Sequence, residues 1–103
     1  MERLQITARD FDLTPAIDSE VREKMATLDR YYNRITACEV TLGGVVGHHR
    51  KGGPFDVRIR LKVPNKELVA DHRHDSDFSL TLKESFAAIK RQLEDYVREH
   101  RQH

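Results

Sequence analysis

Apolar residues recur at steps of three and four in two segments of the chain, the spacing of a helix with one buried face. The first segment opens at Thr14 and Pro15, where a capping hydroxyl precedes a proline at the first helical position. We expect this helix to end at Tyr32 or Asn33. Its apolar stripe consists of Ile17, Val21, Met25, Leu28 and Tyr32.

The second helical segment is longer and lies in the C-terminal quarter of the chain. It begins near Phe78, and we expect it to end between Arg98 and Arg101. A short polar side chain caps its N-terminus, and the candidates are Asp75, Ser76 and Asp77. Its apolar stripe consists of Phe78, Leu82, Phe86, Ile89, Leu93 and Val97.

Four further segments alternate between apolar and polar residues, the period of a strand with one buried face. They are predicted at residues 4–8, 38–42, 55–63 and 67–71. A turn at residues 64–66 makes a hairpin of the last two strands, and residues 72–77 are expected to form a loop. The second and third strands are joined by a long glycine-rich connection with a basic tip at residues 48–53.

These elements predict a single α+β domain over residues 1–103, in the order β-α-β-β-β-α. A helical crossover makes the first two strands parallel, whereas the next two follow as an antiparallel meander. The expected architecture is a four-stranded mixed sheet with two helices packed on one face. A chain of 103 residues leaves no room for a large internal substrate pocket.

Charge is balanced overall but unevenly distributed. The chain has 18 basic and 17 acidic side chains, and only 6 of the basic ones precede residue 48. Positive potential is therefore expected in the second half, along one arc of the second helix and along the third strand. The helix arc carries Lys83, Lys90, Arg91, Arg98 and Arg101, and the strand carries Arg58, Arg60 and Lys62. The two clusters would face opposite sides, and an ordinary solvated surface remains the alternative reading of both.

Other chemistry has weak support. The histidines at 48, 49, 72 and 74 lie in polar segments without the convergent spacing of a metal site, so we expect no metal. No catalytic nucleophile, acid and base pair or phosphate-binding loop is apparent, so we expect no enzyme, no cofactor and no small-molecule substrate. Cys38 is expected to be a small buried residue. With no signal peptide or apolar span, we expect a cytoplasmic protein without a membrane partner.

The ordered elements coincide with short sequence motifs at consistent spacing between about Leu4 and Val97. The motifs are Leu4-Gln-Ile-Thr, Leu13-Thr-Pro-Ala-Ile, Lys24-Met-Ala-Thr-Leu-Asp-Arg-Tyr-Tyr, Arg34-Ile and Ala88-Ile-Lys-Arg-Gln-Leu. Together they resemble the ribosome hibernation-promoting factor and ribosome-associated inhibitor A family, also called the sigma-54 modulation protein family. The resemblance implies a fold similar to double-stranded RNA-binding domains. It also implies translational inhibition by occlusion of the mRNA and tRNA channel of the small ribosomal subunit, with 16S-type rRNA as partner.

The resemblance also implies RNA-binding positions. Lys24, Arg34, Arg91 and Gln92 match basic or polar positions of the family, whereas Lys83, Lys90 and Arg98 are added from the helix arc. The predicted RNA-binding set is Lys24, Arg34, Lys83, Lys90, Arg91, Gln92 and Arg98.

The chain also departs from the family pattern. Thr27 stands where many relatives have lysine, and Glu94, Asp95 and Glu99 acidify the second helix. The C-terminal dimerisation domain of long members is not expected. We therefore expect a short form or a diverged paralogue, and a homodimer stays open. The alternative function is a protein-interaction or stress-response module of the same fold that has lost tight ribosome binding.

Overall fold

The computed structural model describes residues 3–44, 54–74 and 77–101. Along the chain the elements are β1 (Leu4–Arg9), α1 (Pro15–Tyr31), β2 (Ala37–Gly44), β3 (Phe55–Val63), β4 (Lys66–His74) and α2 (Phe78–Arg101). The predicted β-α-β-β-β-α order is confirmed. The basic tip at residues 48–53 lies outside the described residues.

The four strands form one mixed sheet in the order β1-β2-β3-β4. β1 pairs with β2 in parallel, because α1 returns the chain to the same end of the sheet. β2, β3 and β4 pair antiparallel. One row across the sheet shows the register: Ile6, Val40, Ile59 and Ala70 are successive partners.

The core lies on one face of the sheet, under both helices. α1 buries Val21, Met25 and Leu28 there. Alternate residues of the strands pack against these side chains, and the apolar stripe of α2 completes the core. The buried α2 side chains include Leu82, Phe86, Ile89, Leu93, Tyr96 and Val97. Burial of alternate residues on both inner strands, with the helix stripes above them, confirms the prediction that both helices pack on one face.

The N-termini of both helices are capped by side chains that the sequence indicated. Thr14 Oγ1 accepts a hydrogen bond from the backbone N–H of Ile17 at 3.2 Å, and Pro15 follows at the first helical position. At α2 the carboxylate of Asp77 accepts from the N–H of Leu80 at 2.9 Å. Each cap satisfies one of the free N–H groups at a helix start. Asp75 and Ser76, the other α2 candidates, lie outside the described residues.

β4 is longer than predicted, and this corrects the sequence interpretation. Residues 72–77 were expected to form a loop, yet His72 pairs with Val57 and His74 with Phe55. The alternating pattern ends at Ala70, but backbone pairing with β3 extends a polar edge strand further. The hairpin turn is also tighter, since only Pro64 and Asn65 lie outside the strands.

Candidate nucleic-acid interface

A groove of about 210 Å³ runs between α1 and α2 on the outer surface of the helical layer. We call it the lysine groove, and its lining is Lys24, Thr27 and Leu28 from α1 and Lys83, Phe86, Ala87 and Lys90 from α2. Leu28 and Phe86 are almost fully buried and form its floor. Lys83 and Lys90 are seven residues apart, so they stand two turns, or about 10 Å, apart along one face of α2. Lys24 stands across the groove from them.

The lysine groove is positive because no acidic residue lines it among the residues that the structure describes. Within the same described segments, Lys24, Lys83 and Lys90 make no ion pair, unlike two arginines of the helices. Arg22 pairs with Asp18 at 3.0 Å, and Arg98 pairs with Asp95 at the same distance. Three amino groups beside an apolar floor are therefore available to an anionic ligand.

The opposite face of the sheet carries the strand cations, as the sequence predicted, but there they alternate with acids. Arg60 lies 2.6 Å from Glu67 and 3.8 Å from Glu39. Its hydrogen bond lowers the pKa of Glu67, and the same contact raises the pKa of Arg60. Arg73 lies 3.7 Å from Asp56. This face therefore mixes cations with carboxylates, whereas no acidic residue is found among the described residues that line the lysine groove, so the charge contrast favours the helical face as the anion-binding one.

The structure brings together only part of the predicted RNA-binding set. Lys24, Lys83 and Lys90 share the lysine groove, which does not include Arg91. Arg91 is exposed on α2, about 100° around the helix from Lys90. Arg98 is exposed but paired with Asp95.

Gln92 faces a different part of the molecule. Its side-chain Nε2 donates a hydrogen bond of 2.8 Å to the backbone carbonyl of Val69 on β4. Nine residues separate Gln92 from Lys83, and at about 100° per residue this places the two on opposite sides of α2. The helical spacing in the sequence already indicated that Gln92 lies away from Lys83. In the structure its side-chain amide lies against the edge strand β4 and not in the lysine groove.

Arg34 belongs to a second cavity, of about 420 Å³, at the C-terminal ends of the two helices. We call it the tyrosine pocket, and its lining is Arg30, Tyr31, Tyr32, Asn33, Arg34, Val97 and His100. Tyr31 lies seven residues after Lys24, and Val97 lies seven after Lys90. The tyrosine pocket therefore continues the lysine groove along both helices. Sequence reasoning missed Arg30, Tyr31 and His100, although the spacing from Lys24 to Tyr31 was a usable signal.

The wall of the tyrosine pocket is held by aromatic contacts. The Tyr96 ring lies edge-on to Tyr32 at 5.7 Å and against His100 at 4.0 Å between ring centroids. The Tyr96 hydroxyl donates to the carbonyl of Pro64 at 2.8 Å, which ties α2 to the hairpin turn. Burial, together with the neighbouring Tyr32, raises the pKa of Tyr96 to about 12. Arg34 acts on the same pKa in the opposite direction, so its charge lies near this ring.

Other candidate chemistry has no constellation in the described segments. Among the side chains that the structure describes, no three of His, Cys, Asp or Glu come together as a metal site. His48 and His49, two of the histidines considered above, lie outside the described residues. Cys38 is buried, with its Sγ 3.3 Å from Met25 Sδ. No helix in the described part is long and apolar enough to span a membrane.

The fold and the lysine groove define an α+β domain with a basic groove between its helices, and the sequence places it in a known family. The chain belongs to the family described as sigma 54 modulation protein / S30EA ribosomal protein, whose sequence model matches residues 4–101. It is 29% identical over 98 residues to the ribosome hibernation promotion factor of Deinococcus radiodurans. That alignment covers 93% of this chain and 49% of the relative, so the chain spans about half of the relative's length.

Two solved structures share the fold. The N-terminal domain of Protein Y from Thermus thermophilus superposes with a TM-score of 0.73 at 21% identity, covering 89% of this chain and 94% of that one. A ribosomal subunit interface protein from Coxiella burnetii superposes with a TM-score of 0.76 at 19% identity, covering 92% and 97%. The family resemblance and fold predicted from the sequence are confirmed.

Proposed function

We propose that this chain binds the small ribosomal subunit and inhibits translation by occupying the channel used by mRNA and tRNA. A ribosomal partner is supported by membership in a family whose description includes a ribosomal protein. It is also supported by the names of two relatives, a ribosome hibernation promotion factor and a ribosomal subunit interface protein. A ribosomal site of action would place the protein in the cytoplasm.

The observation that carries the proposal is the lysine groove. Ribosomal RNA presents closely spaced phosphates, and each amino group that neutralises one releases condensed counterions. Lys24, Lys83 and Lys90 supply three such groups, and the described lining of the groove contains no competing carboxylate. The exposed Arg91 extends the cationic surface beside them. In this proposal the groove lies against folded rRNA, and the rest of the domain excludes tRNA sterically.

Co-sedimentation with purified small subunits tests the RNA contact. The double variant Lys83→Gln/Lys90→Gln should bind about tenfold more weakly at physiological salt. The slope of log K against log salt should fall by about 1.5, because two phosphate contacts are lost. The matched control is Arg58→Gln/Lys62→Gln, which removes the same charge from the opposite sheet face. Equal loss in both variants, or no loss in the groove variant, would contradict the proposal.

Competition with initiator tRNA tests the occlusion step. Adding the protein to small subunits should release labelled tRNA, and raising the tRNA concentration should lower the apparent affinity of the protein in proportion. Simultaneous binding of both would exclude occlusion, even where the protein sediments with the subunit.

The second candidate is a protein-interaction module of the same fold without tight ribosome binding. A net charge of +1 and the engagement of Arg98 by Asp95 favour it. In that case the wild-type protein would remain in the supernatant with small subunits at physiological salt. This outcome separates the two candidates without any variant.

A further inference from the structure

We propose that the tyrosine pocket binds one unpaired nucleotide of a single-stranded RNA segment, with the base on Tyr31 and the phosphate on Arg30 and Arg34. The inference rests on the proposed function, which supplies RNA as the partner, and adds a subsite with a different chemistry. The lysine groove offers charge beside a buried apolar floor, whereas the tyrosine pocket offers an exposed aromatic ring together with charge.

The first argument is the state of the Tyr31 ring. Tyr31 is 41% exposed, although it lies on the same face of α1 as the buried Leu28. Its neighbour Tyr32 packs against the core and contacts Tyr96. Because the fold uses Tyr32 for packing, the ring of Tyr31 remains exposed and available to a ligand. An exposed aromatic ring in a cavity is the platform on which unpaired bases stack.

The second argument is the charge around this ring. Arg30 and Arg34 both line the pocket and make no ion pair within the described residues. Arg30 Nη2 donates a hydrogen bond to the hydroxyl of Thr27, at 3.3 Å. No acidic residue is found in the described lining of the pocket. Two unneutralised guanidinium groups beside an aromatic ring match a base and its adjoining phosphate, because guanidinium binds phosphate with two parallel hydrogen bonds.

The third argument is position. A volume of about 420 Å³ lies within the usual range of ligand pockets. The pocket continues the lysine groove along both helices, so a strand whose phosphates follow the groove arrives at Tyr31. Duplex RNA keeps its bases stacked inside the helix and has none to place on Tyr31. The geometry therefore selects a single-stranded segment.

Fluorescence anisotropy of a 5′-labelled hexa-adenylate measures the affinity of this subsite directly. Tyr31→Ala should weaken binding about 5- to 150-fold, the range found when a stacking aromatic residue is replaced by alanine. Tyr31→Phe keeps the ring and should bind within about twofold of wild type. Arg30→Gln/Arg34→Gln should weaken binding and lower the salt slope by about 1.4. Equal affinity of wild type and Tyr31→Ala would overturn the proposal.

NMR of protein with labelled tyrosine rings localises the contact, because the chain has only three tyrosines. Hexa-adenylate should shift the Tyr31 signal most, and an RNA duplex of equal length should leave it in place. Unchanged Tyr32 and Tyr96 signals in Tyr31→Ala would show that the fold is intact. AMP should bind at least tenfold more weakly than hexa-adenylate. Equal affinity for AMP would assign the pocket to a free nucleotide and overturn the proposal that it binds an RNA strand.

Failure of this inference is separable from failure of the proposed function. If wild type sediments with small subunits but hexa-adenylate does not move the Tyr31 signal, the pocket proposal alone is wrong. If wild type does not sediment, the ribosomal function is wrong, whatever the oligonucleotide result.

Discussion

Gly44, at the end of β2, lies against the backbone of Asp10. A Cβ atom on Gly44 would stand 2.3 Å from the Asp10 carbonyl oxygen. Asp10 itself has a φ of 49°, in the left-handed region, so this segment has little freedom to move away. The close approach joins the β1–α1 connection to the end of β2.

Gly44→Ala should therefore destabilise the protein. The methyl group forces a backbone shift that costs about 1–3 kcal/mol, which corresponds to several degrees of melting temperature in a domain of this size. Gly43→Ala is the matched control, because its Cβ would meet its nearest atom at an ordinary 3.7 Å. Thermal unfolding of both variants checks the expectation, and equal melting temperatures would contradict it.

Cys38 gives the protein a pH-dependent term in its stability. Burial, with a smaller effect of Glu39, raises the pKa of its thiol from 9.0 to about 12. Above pH 9 the unfolded chain loses this proton and the folded protein keeps it, so the free energy of unfolding falls as pH rises. The loss from this group alone is about 1.4 kcal/mol between pH 8 and pH 10.

Urea unfolding under reducing conditions at both pH values measures this term. Cys38→Ala should be less stable at pH 8 because of the lost packing, but its stability should fall less between pH 8 and pH 10. Parallel pH dependence in wild type and variant would show that the thiol does not titrate differently on folding.

At the scale of elements, α2 serves two different surfaces on opposite sides. Lys83 and Lys90 line the lysine groove, whereas Gln92 covers a backbone carbonyl of the edge strand β4. This explains why neighbouring residues in one family motif need not share a role. Covering the edge also limits unwanted pairing of β4 with another strand.

Substitutions at the neighbouring positions 92 and 91 of α2 should therefore affect different properties, stability in one case and binding in the other. Gln92→Ala should lower the free energy of unfolding by about 0.5–1 kcal/mol, since one hydrogen bond is lost. Its affinity for the small subunit should be unchanged. Arg91→Ala should leave stability unchanged and weaken subunit binding. Chemical unfolding and co-sedimentation of the pair check both halves, and a binding defect in Gln92→Ala would return that residue to the RNA interface.

Sequence periodicity predicted the elements better than it predicted their ends or the site. The stripes of α1 and α2 and the alternation in β3 were sufficient because each element has one buried face. The polar end of β4 was missed because backbone pairing, not side-chain burial, extends it to His74. The tyrosine pocket was missed because it joins residues 30–34 to residues 97 and 100, a contact that only the packed fold creates.

At the scale of the whole molecule, the placement of charge matters more than its sum. Asp95→Asn should free Arg98 and strengthen binding to the small subunit about twofold to fivefold, with a steeper salt dependence. Asp18→Asn is the matched control, because it frees Arg22 on α1 and changes the net charge equally. Co-sedimentation of both variants at two salt concentrations tests this. Equal strengthening would mean that net charge alone controls affinity.

Because the lysine groove and the tyrosine pocket are each lined by both helices in the same order, α1 and α2 point the same way. Their peptide dipoles add, with about half a positive charge at each N-terminus and half a negative one at each C-terminus. At the N-terminal ends this partial charge is already met by acidic side chains, because the carboxylate of Asp77 caps α2 and Asp18 lies in the first turn of α1. The two C-termini meet at the tyrosine pocket, so the guanidinium groups of Arg30 and Arg34 have to offset two partial negative charges before a phosphate can settle there.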